Sequence, residues 1–387
     1  MEFTLTEEQR AVSEAAGGLF AGLVDAERTA AVELSTDRID RELWQALAAA
    51  DLLGLAVPEV DGGAGYGLME LCLLLEAQGN VVAQVPLWST LVLGALPLAR
   101  FGSDAQRAAW LPGVVAGDVI LTAALSSTAD SPTSMPSVRA AVAASGDGFV
   151  LEGTELAVPH AHLADRIVLP ARTGDGGVLL VLLDPTAPGV TLEHAVTTNR
   201  EIHPHLHLDG VAIGPDDVLV GAAAGAGREA LDLLLTAATT GLCALQVGVC
   251  EAALTTTAAY LNTRQQFGRP LSTFQGTMLR AADAAIDIEA MRVTWQNAAW
   301  RFDTGRDAAD AARVAKWQAS ERGQRTVHAT QHLHGGMGAD ISYPIHRYFL
   351  WGKQIELLLG GPSAQLSKLG AEIAAQAHAR AGSGAAS

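Results

Sequence analysis

The stretch Arg264-Gln265-Gln266-Phe267-Gly268-Arg269-Pro270, followed by Phe274-Gln275, separates two long segments of helical periodicity, 231–264 and 275–302. An arginine at a helix end beside a Phe-Gly break offers a planar cation for a diphosphate and an aromatic surface for a flat ring. The alternative is that Arg264 is only a helix-end cation, which interacts favourably with the helix dipole. The residues by themselves leave both interpretations open.

Helical periodicity continues downstream over 308–332 and about 362–379, and short turns such as Asp303-Thr304-Gly305 join the segments. Antiparallel helices of this length pack naturally as a four-helix bundle. The turn His334-Gly335-Gly336-Met337-Gly338 follows the third segment, and its glycines let a backbone approach a bulky ligand closely. The same glycines would equally suit a turn without a ligand. We therefore expect a C-terminal helical bundle over 225–380 and a flexible tail over 381–387.

Upstream, the chain has a β texture over 119–224 and a helical texture over 1–118. Short apolar and β-branched runs separated by turn residues predict a compact β domain, and the absence of strand-helix alternation argues against a Rossmann domain. The candidate strands are 120–125, 149–152, 166–169, 178–182, 190–194 and 206–208. In the helical part, Thr6 and Gln9 have the spacing of a capping box. Ser103 is expected to cap a helix that ends near Trp110, before Pro112.

The composition argues against several classes of protein. A chain of 387 residues is long enough for two or three domains. Its net charge of −17, without clustered Lys and Arg, argues against non-specific nucleic-acid binding. Apolar runs such as 178–183 are far shorter than the roughly 20 residues that span a bilayer. The acidic N-terminal segment does not resemble a signal peptide, so we expect a cytoplasmic protein without a membrane anchor.

The three cysteines are Cys72, Cys243 and Cys250. Their odd number and the lack of a Cys-x-x-Cys spacing argue against a disulfide frame or a zinc site. They are expected to be reduced, buried thiols.

Four motifs, in order along the chain, resemble those of the acyl-CoA dehydrogenase family. They are Phe101-Gly102-Ser103-Asp104 with Leu111-Pro112, Leu151-Glu152-Gly153-Thr154, the stretch from Arg264 to Pro270 with Phe274-Gln275, and the turn from His334 to Gly338. The resemblance implies an acyl-CoA dehydrogenase-like fold with an N-terminal α-helical domain, a middle antiparallel β domain and a C-terminal four-helix bundle. It also implies FAD as the cofactor, an acyl-CoA thioester as the substrate and an acceptor of the electron-transfer flavoprotein type.

In this family the last two motifs reach across a dimer interface and hold the adenosine diphosphate half of the neighbour's FAD. The resemblance therefore implies an FAD that is shared at a subunit interface. One of the implied ligands, His332, stands where relatives often have glutamine. The full set is Arg264, Phe267, Gln275, His332, Gly335, Gly336 and Gly338.

The catalytic base of the family is missing. The segment Tyr343-Pro344-Ile345-His346-Arg347-Tyr348 leads to Leu357-Leu358-Leu359-Gly360-Gly361, and Leu359 stands where the family's Tyr-Glu-Gly-Thr turn supplies a glutamate. A leucine cannot accept a proton. Some relatives place the base at a position that falls here at about Ala238 or Thr239. A weak alternative is Glu356, which would share a helix face with Leu359, although such a glutamate is usually solvated.

The residues that would face the chain's own flavin ring are lost as well. The segment Ser126-Ser127-Thr128-Ala129-Asp130-Ser131-Pro132 replaces the family's Thr-Glu-Pro-x-x-Gly-Ser-Asp loop, and Ala157 and Pro159 replace its Trp-x-Thr pair. Ala157 has no ring that could stack on a flavin. Pro159 cannot donate a hydrogen bond, because it lacks both a hydroxyl and a backbone N–H. The segments that serve a neighbour's cofactor are kept, whereas those that serve the chain's own are not.

This asymmetry resembles the heteromeric α2β2 dehydrogenases of actinobacterial steroid side-chain degradation, in which one subunit carries the base and its companion does not. We therefore expect a subunit with no catalytic residue, which completes the FAD site of a second, base-bearing acyl-CoA dehydrogenase subunit acting on a bulky steroid CoA thioester. Two alternatives remain. One is a self-sufficient homomeric enzyme with an atypical base, Glu356 first, and the other is a non-enzymatic scaffold of the same fold.

Overall fold

Helices make up the N-terminal part of the chain in the computed structural model, which describes residues 3–131, 134–143 and 146–384. The predicted capping box is confirmed, because Gln9 N donates to Thr6 Oγ1 at 3.2 Å and Thr6 N donates to Gln9 Oε1 at 3.1 Å. The helix that Ser103 caps runs through Pro112, so its predicted end is wrong; the left-handed Gly117 (φ 77°) ends it instead. The helices are α1 (Glu7–Leu23), α2 (Ala26–Leu34), α3 (Arg41–Ala49), α4 (Leu68–Val81), α5 (Leu96–Phe101), directly preceded by a π-helical segment (Trp88–Ala95), and α6 (Asp104–Ala116).

The middle segment forms an eight-stranded sheet, and all six predicted strands occur in it. Its strands are β1 (Leu121–Ala123), β2 (Arg139–Val142), β3 (Phe149–Glu155), β4 (Arg166–Thr173), β5 (Val178–Leu183), β6 (Val190–Glu193), β7 (His205–Ile213) and β8 (Val218–Val220). The order is β6-β7-β3-β2-β4-β5-β8, with β1 beside β4. The sheet is mainly antiparallel, and β4 lies parallel to β1 and β2. A short helix, α7 (Ser126–Asp130), follows β1.

Strand β5 joins two hydrophobic cores. All six of its side chains are buried, and successive side chains of a strand point to opposite faces. The even-numbered residues, such as Leu180, belong to the core that the sheet shares with the helices. The odd-numbered residues, such as Val181, belong to the core on the other face of the sheet. The helices therefore pack against one face of the sheet.

The C-terminal part is helical, as predicted, and contains one helix, α11, that was implied around Glu356 but whose limits were not predicted. The last helix passes its predicted end near Ala379 and covers the first part of the predicted tail, while residues 385–387 lie outside the described residues. The elements are α8 (Ala226–Thr263), the two-stranded ribbon of β9 (Gln265–Gln266) and β10 (Arg269–Pro270), α9 (Gln275–Asp303), α10 (Ala309–Leu333), α11 (Ile345–Leu357) and α12 (Pro362–Gly384).

Helix α8 is the centre of this arrangement and packs against α4, α9, α10 and β5. By length and composition it is the one helix of the described residues that could cross a membrane, yet 89% of its most apolar window is buried inside the fold. Core helices of globular proteins pass the same test. Cys243 and Cys250 lie on α8 and Cys72 on α4; all three are buried and free, as predicted.

Glycines allow α4 and α8 to touch backbone to backbone. A Cβ added at Gly248 would lie 1.9 Å from the carbonyl oxygen of Glu76, and one at Gly79 would lie 2.3 Å from that of Leu245. Neither contact is sterically allowed. The N-terminal helices can therefore dock on α8 only because both positions lack a side chain.

We expect Gly248→Ala to lower the free energy of unfolding by about 2–3 kcal/mol, because the added methyl group forces the two helices apart. Urea denaturation measures this effect. Gly370→Ala in α12 is the matched control, since a Cβ there has no neighbour within 4 Å, and it should be neutral or slightly stabilising. Equal midpoints for the two variants would contradict the close contact.

Candidate functional site

The turn after α11 places Leu359 in a left-handed conformation (φ 57°), which is uncommon for residues other than glycine. Its carbonyl accepts a hydrogen bond from Gln365 Nε2 at 2.8 Å. The buried Lys316 Nζ donates to the carbonyl oxygens of Ile355 (2.9 Å) and Glu356 (3.0 Å), so the last carbonyls of α11 have a partner. The Leu359 side chain, only 5% exposed, is thereby fixed in the interior.

Leu359 and Thr239 border the same cavity, which has a volume of about 150 Å³ and lies between α8, α10 and α12. These are two of the positions at which members of the acyl-CoA dehydrogenase family that the sequence resembles carry the catalytic base. The structure thus brings them together, as a shared site requires. Neither a leucine nor a threonine side chain can remove the α-proton of a thioester at neutral pH.

Glu356 is not among the residues that line this cavity. The expectation that it shares a helix face with Leu359 is wrong, because α11 ends at Leu357 and the left-handed turn redirects the chain. The expectation of a solvated charge is also wrong. Its side chain is 12% exposed, and its carboxylate pairs with Lys353 Nζ at 2.5 Å.

Two carboxylates that the sequence did not single out border the cavity. Asp232 Oδ2 accepts from Arg228 Nε at 3.0 Å, and Glu372 pairs with Arg313. Burial, together with a hydrogen bond that the protonated Glu372 donates to Asp310, raises the pKa of Glu372 against the opposing charge of Arg313. Each carboxylate therefore pairs with an arginine. The i,i+4 spacing of Arg228 and Asp232 was the signal in the sequence that could have predicted one of these pairs.

The backbone at the positions expected to face a flavin ring is occupied within the chain. Ala157 N donates to His205 Nδ1 at 3.0 Å, and Val158 N donates to the Pro204 carbonyl at 2.8 Å. Pro159 has no N–H to offer. Of the altered loop, residues 126–130 form α7, whereas residue 132 lies outside the described residues. No backbone N–H of residues 157–159 is left for a ring.

A buried polar cluster lies immediately after Pro159. His160 Nδ1 lies 3.0 Å from Ser89 Oγ, and His160 Nε2 lies 3.8 Å from Glu201 Oε1. His203 Nε2 lies 3.2 Å from Glu201 Oε2. The cluster lines a cavity with about 20 Å³ of free space, enough for about one water molecule and far too small for a flavin ring. Sequence reasoning missed this cluster, since its members are distant in the chain.

Burial lowers the pKa of His160 from 6.5 to about 4, although the charge of Glu201 acts in the opposite direction. The folded state therefore favours the neutral imidazole, and this stabilisation is complete above pH 6.5 and lost as the pH falls towards 4. We expect protonation of His160 in the unfolded chain to lower the free energy of unfolding by about 2 kcal/mol between pH 7 and pH 5. Urea denaturation at both pH values should show a flatter profile for His160→Gln. Parallel profiles would contradict the assignment.

The residues implied to bind FAD lie at one end of the C-terminal helices. Arg264 follows the last residue of α8, and its carbonyl accepts from Leu271 N at 2.9 Å, which folds the β9–β10 ribbon back on the helix end. Phe267 at the tip of the ribbon packs edge-on against Phe274, with ring centroids 6.2 Å apart. Gln275 is the first residue of α9. This local unit presents its side chains outward, and Phe267 is 92% exposed.

The glycine turn after α10 is fastened to the same end of α8. His334 stacks on Tyr260 of the last turn of α8, with ring centroids 4.4 Å apart, and its Nε2 lies 3.1 Å from Thr257 Oγ1. Gly335 (φ 61°) and Gly336 are exposed, and a Cβ at either would have no neighbour within 4 Å. This leaves open space for a ligand above the turn.

Two of the implied residues differ from the rest of this group. Gly338 is buried, and a Cβ there would lie 2.3 Å from the carbonyl oxygen of Gln331, so its own fold requires the glycine. His332 is exposed on the last turn of α10 and borders a groove between α9 and α10. Their roles in binding FAD stay predictions.

Exposed apolar side chains surround this end of the helices. They lie on the ribbon, on α9 and in the turn after α10, and each is between 41% and 92% exposed: Phe267, Met278, Leu279, Ile286, Met337 and Ile341. Groups of exposed apolar side chains are typical of surfaces that a protein partner covers.

Two family models match the chain: "Acyl-CoA dehydrogenase, N-terminal domain" over residues 6–118 and "Acyl-CoA dehydrogenase, C-terminal domain" over residues 225–374. The chain is 38% identical to acyl-CoA dehydrogenase FadE27 of Mycobacterium tuberculosis, over 97% of this chain and 99% of that protein. It is 35% identical to FadE28 of the same organism, over 89% of this chain and 97% of that protein.

Two solved structures have the same fold over 97% of this chain. A chain of a variant of the Tcur3481-Tcur3483 steroid ACAD is 46% identical, with a TM-score of 0.88 and 100% of that chain covered. A chain of the ChsE4-ChsE5 complex from Mycobacterium tuberculosis is 36% identical, with a TM-score of 0.89 and 99% covered. Both structures are named for two different chains.

Proposed function

This chain belongs to the acyl-CoA dehydrogenase family, and we propose that it is the subunit without a catalytic base in a heteromeric dehydrogenase that acts on a bulky steroid CoA thioester. The observation that carries this proposal is the cavity shared by Leu359 and Thr239, in which neither side chain can serve as the base. The similarity to chains of two-component structures, one of them described as a steroid ACAD, supports a second acyl-CoA dehydrogenase subunit as the partner.

The exposed end of the helices fits the diphosphate half of FAD. Arg264 is exposed and makes no ion pair within the described residues, so its guanidinium is available for a phosphate. Gly335 and Gly336 leave room above their backbone. FAD, when bound, would accept the hydride from the β carbon of the thioester. This chain's part is to bind and orient the nucleotide, while a glutamate of the partner removes the α-proton and an electron-transfer flavoprotein-type protein accepts the electrons.

Co-expression with the base-bearing subunit tests the proposal. The chain purified alone should carry no stoichiometric FAD, whereas the purified complex should carry one FAD per pair of subunits, measured by flavin absorbance against protein concentration. Oxidation of an acyl-CoA should require both chains. The proposal fails if the chain alone binds FAD in stoichiometric amount and oxidises an acyl-CoA.

We expect Glu356→Gln to leave the turnover of the complex within about twofold of wild type, because its carboxylate does not border the cavity. The loss of the Lys353 pair should lower the free energy of unfolding by no more than about 1 kcal/mol. Steady-state kinetics measure the first effect and urea denaturation the second. Loss of turnover in a folded Glu356→Gln complex would instead support a self-sufficient enzyme with Glu356 as its base.

A further inference from the structure

We propose that the groove between α9 and α10 extends the nucleotide site, and that Arg280 in this groove, beside His328 and His332, binds the diphosphate of FAD together with Arg264. This inference rests on the proposed function and deepens it, because Arg280 and His328 belong to none of the motifs that indicated the family. The ligand class is a nucleoside diphosphate.

Few of the arginines whose side chains the structure describes lack a partner within the chain. Most described arginine side chains make an ion pair, a hydrogen bond or a ring contact; among those whose side chains the structure describes, the exceptions are Arg172, Arg264 and Arg280. Arg172 lies on the sheet, whereas Arg264 and Arg280 lie on either side of the start of α9. Two guanidinium groups without partners at one end of the bundle are suited to an anion that the chain itself does not supply.

The groove is built from facing turns of two antiparallel helices. Arg280 lies near the start of α9, and His328 and His332 lie in the last turns of α10, so they border one space of about 430 Å³. His332 is also one of the residues implied to bind FAD, so the groove shares one residue with that implied site. The two histidines add N–H donors beside the guanidinium.

The carboxylates of the groove do not cancel its cations. Asp287 is buried and accepts hydrogen bonds from Arg325 (2.5 and 2.7 Å) and Arg322 (2.5 Å), so two arginines already neutralise it. Asp283 is exposed, close to Arg280 on the same helix, and makes no ion pair within the described residues. Its negative charge repels an anion, although solvent screens the repulsion. Removal of this charge is therefore expected to strengthen binding.

The overall charge of the chain makes local cations necessary. With a net charge of −17, the protein's field repels a diphosphate. Arg280 adds its positive charge to that of Arg264 at the same end of the bundle, which offsets more of this repulsion than Arg264 does alone. The groove therefore supplies a further arginine without an ion pair in the described part of the chain, in addition to Arg264 and to Arg269, which stacks on Phe274.

The test uses the purified complex of both subunits and measures the Kd for FAD by flavin fluorescence at low and high NaCl, with subunit association followed by gel filtration. Arg264→Ala should weaken FAD binding by about 10- to 100-fold and Arg280→Ala by about tenfold, and both should reduce its salt dependence. Asp283→Asn should strengthen binding by about two- to threefold. Arg172→Ala, the matched loss of an unengaged arginine elsewhere, should have no effect.

Each outcome decides between the two proposals. If Arg264→Ala weakens binding and Arg280→Ala does not, the groove assignment is overturned and the proposed function stands. If neither weakens binding, both are overturned. If Arg280→Ala separates the subunits without changing the FAD affinity of the remaining complex, Arg280 is a contact for the partner protein and the groove is not a nucleotide site.

Discussion

Replacing Arg347 with methionine is expected to lower the free energy of unfolding by about 3–5 kcal/mol, because it leaves the carboxylate of Glu33 buried without its main partner. Arg347 Nε and Nη2 donate to the two carboxylate oxygens of Glu33 at 2.9 and 3.3 Å, and the two side chains are 8% and 5% exposed. Arg200, whose Nη1 lies 3.8 Å from Glu33, is too distant to replace them. The pair ties α11 to α2 and so holds the two ends of the chain together.

Two further variants separate this buried pair from an ordinary surface one. Arg41→Met removes an exposed i,i+4 pair with Asp37 and should cost no more than about 0.5 kcal/mol. The double variant Glu33→Leu/Arg347→Met should recover much of the loss, since it removes the stranded charge. Urea denaturation of the three variants is the measurement. An Arg347→Met chain as stable as Arg41→Met would show that Glu33 is not isolated from water.

The parts of the fold that the sequence predicts are those with a strong period. β5 is a continuous apolar run and occurs where expected, and α9 and α10 lie within a residue or so of their predicted limits. The limits of α11 were not predicted, because its apolar positions are mixed with His346, Arg347 and Lys353. Their burial or pairing depends on contacts from distant segments. Arg347 in particular would be expected on the surface from sequence alone, because its burial depends on its partner Glu33.

The site is less predictable because its geometry depends on single backbone conformations and on contacts between distant segments. The relation between Glu356 and Leu359 was misjudged because counting along a helix presupposes that the helix continues. A left-handed leucine has no side-chain signature of its own; only the following Gly360-Gly361 hinted at a helix end. The pairing of Ser89, His160 and Glu201 likewise follows from tertiary packing. By contrast, the shared cavity of Leu359 and Thr239 was predictable from family motifs, because relatives carry the catalytic base at one or the other of these two positions.

Arg264→Ala is expected to weaken the binding of FAD to the complex by about 10- to 100-fold, which is the range for the loss of charge-assisted hydrogen bonds to a phosphate. The side chain is exposed and makes no ion pair within the described residues, so the fold does not depend on it. The thermal midpoint of the chain alone should therefore stay unchanged. This combination, a large loss of cofactor with no loss of stability, is what distinguishes a binding residue from a structural one.

The measurement is the flavin-to-protein ratio of the complex after gel filtration in FAD-free buffer, followed by titration with FAD. The wild-type complex should retain FAD, and Arg264→Ala should lose most of it but recover when FAD is supplied in excess, since only affinity is changed. Arg264→Lys keeps the charge without the planar fork and should fall between the two. A non-enzymatic scaffold predicts no change in any of these ratios. Retention of FAD by a folded, assembled Arg264→Ala complex would therefore remove the argument that this chain completes its partner's cofactor site.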